Sequence, residues 1–279
     1  MLKNLIVRAL SGAVLVALIL GAVLYSPITF GVLFCVIVVI GAWEFYCALG
    51  RSGKPLASPL VLSLGAGLLF ATSFLSQYYG LSHVGFAPYF LFLLYLFVRQ
   101  LYEPNVNAVE AWGYGVLGQL YVALPFAILP FLLISYSEGV MVYHRDLLIS
   151  LLLVIWCYDS FAYLFGVTLG RHRLFERISP KKSWEGAIGG GLTTLALSYF
   201  LPCLFPSSML SEWQWVGFAA VTVLFSTWGD LVESLFKRTI GIKDSGFILP
   251  GHGGVLDRFD SLLLAAPAVW IYIELFIRN

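Results

Sequence analysis

The sequence predicts an all-α, polytopic membrane protein of about nine transmembrane helices, and three observations carry that expectation. Of its 279 residues, 60% are hydrophobic and 11% are charged, and the mean hydropathy is +0.90, outside the range of soluble domains. Between Pro55 and Val98 there is no Asp, Glu, Lys or Arg, which is more apolar chain than one crossing of roughly 20 residues uses. The apolar runs also lack the two-residue alternation of a membrane barrel. Backbone groups in hydrocarbon must be satisfied within their own segment, so the runs read as helices.

Broken at charge, Pro, Gly and Asn clusters, the runs place helices near 5–25, 28–49, 58–76, 84–101, 112–134, 147–170, 184–205, 213–236 and 261–277. Lys3 and Arg8 come before the apolar run of the first, and no A-x-A-like site follows that run before Ser26-Pro27, so it reads as a span rather than a cleaved leader. Arg51 and Lys54 close the second, and the charge-free stretch after Pro55 is long enough for the third and fourth. Arg171 ends the sixth, Ser183-Trp184 opens the seventh, Lys237-Arg238 ends the eighth and Asp260 precedes the last.

Cytoplasmic loops are enriched in Lys and Arg. With the N-terminus inside, Lys3, Arg8, Arg51, Lys54, Arg99, Arg171, Arg173, Arg177, Lys181, Lys182, Lys237, Arg238, Lys243 and Arg258 fall on the cytoplasmic side, leaving only Arg145 and Arg278 of the 16 basic residues outside. The expectation is an integral protein of the cell (inner or plasma) membrane, N-terminus in and C-terminus out. A single membrane domain is expected over 1–279, with N-terminal helices at 1–135 and catalytic helices and cytoplasmic loops at 147–279. Its longest connection, 237–260, has 24 residues, so chemistry must be built from helix ends and loops. Net charge is +1, so bulk charge says nothing about nucleic acid or an acidic partner and only the placement of the charges is informative; no nucleic-acid partner is expected. Cys35, Cys47, Cys157 and Cys203 lie in apolar segments without C-x-x-C spacing and read as core residues rather than disulfide or zinc ligands.

Ionisable residues inside spans are costly and usually face a partner, a cavity or a site. Here they are Glu44, Asp159, Asp230, Glu233 and Glu274. Glu44 and Glu274 lie near helix ends and read as interfacial. Asp230, Glu233, Ser234 and Lys237 stand at i, i+3, i+4 and i+7, one helical face directed to the cytoplasmic end. That face is either a set of internal ion pairs or a carboxylate for a divalent cation followed by a lysine for phosphate. The connection KRTIGIKDSGFILPGHGGVLDRFD supplies glycines where a loop passes close to a ligand, with Pro250 restricting it. Asp257 and Asp260, at i and i+3, can face one point, and two such carboxylates suit Mg²⁺. A helix N-cap role for Asp257 is the simpler alternative. In GRHRLFERISPKKSWEG, lysines precede a helix that opens at Ser183-Trp184, and such an N-terminus beside cations is a phosphate site. Gly189 to Gly191 reads as close helix packing, since no Walker pattern surrounds it. Chemistry alone assigns His252 no role.

The stretch Ser234 to Asp260 reads S-x-x-K-R, four residues, K-D-x-G, then P-x-H-G-G-x-x-D-R-x-D. It resembles the signature of the phosphatidate cytidylyltransferase (CDP-diglyceride synthase) family, with no departure from it. Asp159-Ser160-x-Ala162-Tyr163-x-x-Gly166-x-x-x-Gly170-Arg171 and Ser179-Pro180-Lys181-Lys182-Ser183-Trp184-Glu185-Gly186 are similar to the family's other shared segments. Together these cover roughly the C-terminal half, and the first five spans match only in being hydrophobic. The resemblance implies a nine-span enzyme, a homodimer, that uses CTP and phosphatidic acid with Mg²⁺ and K⁺ in a paired metal site. It places metal-binding acids on Asp230, Asp257 and Asp260 and a phosphate contact on Lys237. It gives Lys181 and Lys182 to the nucleotide or lipid phosphate, and adds Asp159, Ser183, Ser234, Arg238, Lys243, Asp244 and His252 to the substrate contacts.

The reaction so implied needs no strong base, because the attacking lipid phosphate is already anionic. Its difficulty is charge, which calls for positioning and cations. A CTP-dependent polyprenol-type lipid kinase and a transporter of phosphorylated lipids are the competing expectations. The D-G-x-x-A-R motif of CDP-alcohol phosphotransferases is absent.

Overall fold

A computed structural model describes residues 2–278 apart from 105, 207, 209, 247 and 249–252, with side chains from residue 10 onward. His252, Pro250 and Gly251 therefore lie outside the described residues, as do the side chains of Lys3 and Arg8. The protein is all-α and polytopic. Among the described residues seven helical stretches are long and apolar enough to cross a membrane: Pro27–Arg51, Pro59–Tyr79, His83–Tyr102, Ala108–Leu133, Arg145–Leu169, Glu212–Thr239 and Leu256–Phe276. Their outer faces carry large apolar side chains, such as Val32, Leu64, Phe90, Leu91, Leu94 and Val167, each more than half exposed. An apolar exterior of this extent is a lipid-facing surface rather than a wet one.

The chain divides into two compact units, Met1–Tyr143 with Thr239–Phe259, and His144–Arg238 with Asp260–Asn279. The first contains α1 (Leu2–Tyr25), α2 (Pro27–Arg51), α3 (Pro59–Tyr79), α4 (Ala87–Arg99), α5 (Ala108–Gly118) and α6 (Leu124–Leu133). A π-helical turn, Gln119–Ala123, joins the last two. Local chemistry sets the helix ends. Ser26 caps α2 by accepting the Thr29 N–H at 3.1 Å, with Pro27 in the first turn, where its missing N–H costs nothing. Gly80 ends α3 in the left-handed region at φ 62°. The core is aromatic: Phe34 and Phe126 lie 6.2 Å apart, and Phe259 packs on them at 6.4 and 5.4 Å between ring centroids. Tyr46, Gln119 and Leu62 form a buried polar network, in which Gln119 Nε2 donates to the Tyr46 hydroxyl at 3.0 Å and to the Leu62 carbonyl at 2.8 Å. The π turn thus sits where a side chain binds the backbone of a neighbouring helix.

Two short hairpins have no counterpart in the sequence expectation. β1 (Ile134–Ser137) pairs antiparallel with β2 (Val140–Tyr143) in the first unit. Its two-residue turn, Glu138-Gly139, has φ of 53° and 79°, the positive values that match hairpin twist. In the second unit β3 (Arg173–Phe175) pairs with β4 (Ser179–Ser183), so the basic segment is an ordered hairpin rather than an open loop.

The second unit holds α7 (Arg145–Leu169), α8 (Trp184–Ser198), the one-turn α9 (Leu201–Leu204), most of α10 (Glu212–Thr239) and most of α11 (Leu256–Phe276). The continuous helix expected over 184–205 is broken. Pro202 has no N–H, and its ring would clash with the carbonyl of Ser198, where α8 ends. At 15 residues α8 falls short of a full crossing by length.

Candidate active site

The site is built first by close backbone packing in the second unit. A Cβ on Gly186 would lie 2.6 Å from the Ala162 carbonyl oxygen, and one on Gly190 would lie 2.6 Å from the Ala162 nitrogen. Glycine therefore lets α7 and α8 touch backbone to backbone, which carries Asp159 on α7 beside the segment that leads into α8. Gly229 does the same for α10 and α11, since a Cβ there would meet the Asp260 carbonyl at 2.5 Å. Asp230 follows directly, and Asp260 lies within the electrostatic reach of both Asp230 and Lys237. The Tyr158 hydroxyl, 2.5 Å from Thr227 Oγ1, ties α7 to α10.

These contacts enclose a cavity of about 580 Å³ whose walls include Asp159, Tyr163, Arg173, Lys181, Lys182, Ser183 and Asp230. Its volume lies within the range of small-molecule sites. The structure thus brings together in one cavity five residues that the sequence nominated from three separate segments. Lys182 forms an ion pair with Asp230, each about 30% exposed at the side chain. Lys181 is exposed beside it. Ser183, 3% exposed, is the N-cap of α8 and accepts the Gly186 N–H at 3.2 Å. Part of the helix N-terminus expected to hold phosphate is therefore capped from within the chain.

On α10, Ser234 Oγ donates to Asp230 Oδ1 at 3.3 Å, and Lys237 Nζ donates to Glu233 Oε2 at 2.8 Å. Glu233 has no exposed side-chain surface, whereas Lys237 retains 15%. One half of the ion-pair alternative for this face is realised, although Asp230 takes its cation from Lys182 and not from its own helix. Arg238 is exposed in the last turn.

The glycine loop belongs to the first unit, where Lys243 and Asp244 are exposed. Asp257 is 7% exposed. Its Oδ2 accepts the Ser245 N–H at 2.9 Å, the Ser245 hydroxyl at 2.9 Å and the Gly254 N–H at 2.8 Å. The carboxylate accordingly binds the loop to the first turn of α11, close to the cap role that the sequence offered as the alternative.

Glu44 departs from its sequence reading. Instead of lying at the interface it is 3% exposed, and its Oε2 accepts the Leu256 N–H at 2.9 Å and the Ser245 hydroxyl at 3.5 Å. A lone carboxylate in an apolar run was the available signal. What hid its role is the separation in the chain, because its partners lie some two hundred residues away.

Among the described residues no group of three or more His, Cys, Asp or Glu side chains is arranged to hold a metal ion. Asp230 and Asp260 nevertheless fit a divalent cation. They are hard oxygen donors on adjoining helices, their like charges act on each other, and a lysine ammonium already stands against one of them. Mg²⁺ is commonly held by one or two carboxylates, completed by phosphate oxygens and water.

Comparison with known proteins shows the family. The chain matches the model of the cytidylyltransferase family over residues 6–276. It is similar to the phosphatidate cytidylyltransferase of Haemophilus influenzae, 32% identical over 93% of this chain and 95% of that protein. A local match to the phosphatidate cytidylyltransferase of Staphylococcus aureus is 46% identical over 43% of this chain and 46% of that protein. The protein of the same name from Staphylococcus haemolyticus is 45% identical over the same shares. With a family match that spans nearly its whole length and a glycine-packed, cation-lined cavity inside it, this chain belongs to the cytidylyltransferase family.

Proposed function

We propose that the chain is a phosphatidate cytidylyltransferase, which joins CTP to phosphatidic acid to form CDP-diacylglycerol and pyrophosphate. The observation that carries this reading is the cavity in which Lys181, Lys182 and Arg173 face Asp159 and Asp230 within an integral membrane protein. Cations for phosphate and carboxylates for a metal meet there among apolar helices.

The chemistry follows from charge. A phosphate oxygen of phosphatidic acid attacks the α-phosphorus of CTP, the new P–O bond forms, and the bond to the β-phosphate oxygen breaks to release pyrophosphate. The nucleophile is anionic at neutral pH, so the site has no need of a residue that removes a proton. Lys181 and Lys182 offset charge on the approaching phosphates, and Lys182 is placed to exchange Asp230 for a phosphate oxygen. Lys237 and Arg238 add positive charge at the end of α10. Ala162, Val167, Leu174 and Ala187 line the same cavity and offer the lipid an apolar approach from the bilayer. Asp230 and Asp260 would hold Mg²⁺, with K⁺ as the second cation. When bound, the cations neutralise the charge that builds on the leaving pyrophosphate. Asp257, the third carboxylate of the expected set, contributes by holding the loop. The cavity faces the cytoplasm, where CTP is found, and the enzyme works as a homodimer.

The test uses membranes, phosphatidic acid, Mg²⁺ and CTP labelled at either the α or the γ phosphate. Label from the α position is expected in the lipid and label from the γ position in pyrophosphate. Lipid labelled from the γ position would identify a kinase, and unlabelled lipid from both would leave a transporter.

A further inference from the structure

We infer that Glu44, far outside the signature segment, is a positioning residue that sets the start of α11 and with it the carboxylates of Asp257 and Asp260. The inference rests on the proposed function for what those carboxylates do, and on the first unit's geometry, which runs to Phe259, for how the start of their helix is held.

The first N–H groups of a helix have no partner within it. At α11 the orphan N–H of its first residue, Leu256, and the N–H of Gly254 just before the helix are met by two carboxylates from different parts of the chain. Asp257, on the helix itself, takes the Gly254 N–H, while Glu44 on α2 takes the Leu256 N–H at 2.9 Å. Ser245 joins the two, donating its backbone N–H to Asp257 and its hydroxyl toward both acids. Two glycines of the signature, Gly246 and Gly254, are explained here. A Cβ on Gly246 would land on Glu44 Oε1, and one on Gly254 would land on Glu44 Oε2 and Ser245 Oγ. Both positions are bare because the Glu44 carboxylate fills the space. Among the described residues Glu44 Oε1 has no hydrogen-bond partner although it is buried. Leaving such an atom unpaired is costly, so this carboxylate is retained for a reason other than packing. Phe259, one turn along, is anchored by Phe34 of α2 and Phe126 of α6. A fixed N–H at Leu256 and a fixed ring at Phe259 together define the rotation and height of the turn that presents Asp257 and Asp260.

Two measurements test the assignment in the full-length protein. The first is amide hydrogen exchange without substrate or metal. Glu44→Ala is expected to raise exchange in peptides covering 243–260 while those of α3 stay as in the wild type, and Glu44→Gln, which keeps an acceptor for Leu256, is expected to restore most of the protection. Unchanged exchange at 243–260, or a rise spread across the whole first unit, would overturn the inference. The second is kinetic. Displacements near 1 Å cost on the order of 100-fold in rate, so Glu44→Ala is expected to lower kcat by roughly 10- to 100-fold with the KM for CTP within about twofold. Gly246→Ala should reproduce this loss alone and add nothing in the Glu44→Ala background, because the space it needs is then empty. A kcat within twofold of wild type, an effect confined to KM, or additive losses would each overturn it. If wild-type enzyme forms no α-labelled lipid, the proposed function fails while the exchange measurement still decides the role of Glu44.

Discussion

At the residue scale, Asp257 and Asp260 stand three positions apart on one helix yet have different surroundings. Oδ2 of Asp257 is engaged by three donors, whereas Oδ1 of Asp260 accepts the N–H of Ser261 at 2.6 Å. Asp257→Ala leaves the N–H groups of Ser245 and Gly254 buried without that acceptor, and each costs about 1–3 kcal/mol. The expected outcome is loss of activity together with a lower thermal midpoint and easier proteolysis within 243–256. Asp260→Ala is expected to remove activity with the midpoint near that of wild type. Equal thermal losses in the two variants would show that the carboxylates share one role. The sequence nominated both acids, through their spacing and the surrounding signature. It could not divide their roles, because the division depends on Ser245 and on Glu44, and neither spacing nor helical periodicity links residue 44 to residue 256.

At the scale of elements, the cavity exists because α7 and α8 approach more closely than side chains allow. Gly190→Ala would place a Cβ against Ala162 backbone atoms at 2.6 and 2.8 Å, and backbone cannot swing aside as a side chain can. Overpacking of this kind costs about 1–3 kcal/mol, and here it also displaces the wall that carries Asp159. Gly190→Ala should therefore lower both the thermal midpoint and the activity. Gly113→Ala, with nothing within 4 Å of the added atom, should be neutral or stabilise by about 1 kcal/mol or less. An unaffected Gly190→Ala enzyme would remove close helix contact as the basis of the cavity. Helices of this kind were legible from apolar runs, and the glycine run at 189–191 was readable as packing. The hairpins were not, since strands of three to five residues offer too few alternations to stand out. Glu138-Gly139 was their one local sign, as a turn pair between alternating residues.

At the scale of the whole molecule, the number of crossings turns on α8, the 15-residue helix that length alone leaves out. Its two ends are pinned to opposite ends of α10. Before its first residue, Lys182 pairs with Asp230, near the C-terminal end of α10. Just beyond its last residue, Tyr199 stacks edge-on against Trp213 in the first turn of α10, with ring centroids 5.6 Å apart. Trp213 and Asp230 are separated by about 25 Å of helix at 1.5 Å per residue, which is most of a hydrocarbon core of about 30 Å. Antiparallel to α10 over that distance, α8 would carry the chain across most of the bilayer despite its length. The hairpin before α8 and the end of α10 then share a face, as a single site for phosphate requires. In a variant whose native cysteines are replaced, single cysteines at Arg177 and Ser211 should therefore differ. A membrane-impermeant maleimide applied to intact cells should label the Ser211 position, and should label the Arg177 position only after permeabilisation. Labelling of both from the same side would make α8 a re-entrant segment, reverse the side assigned to one of the two loops, and leave Lys182 and Lys237 without a common substrate.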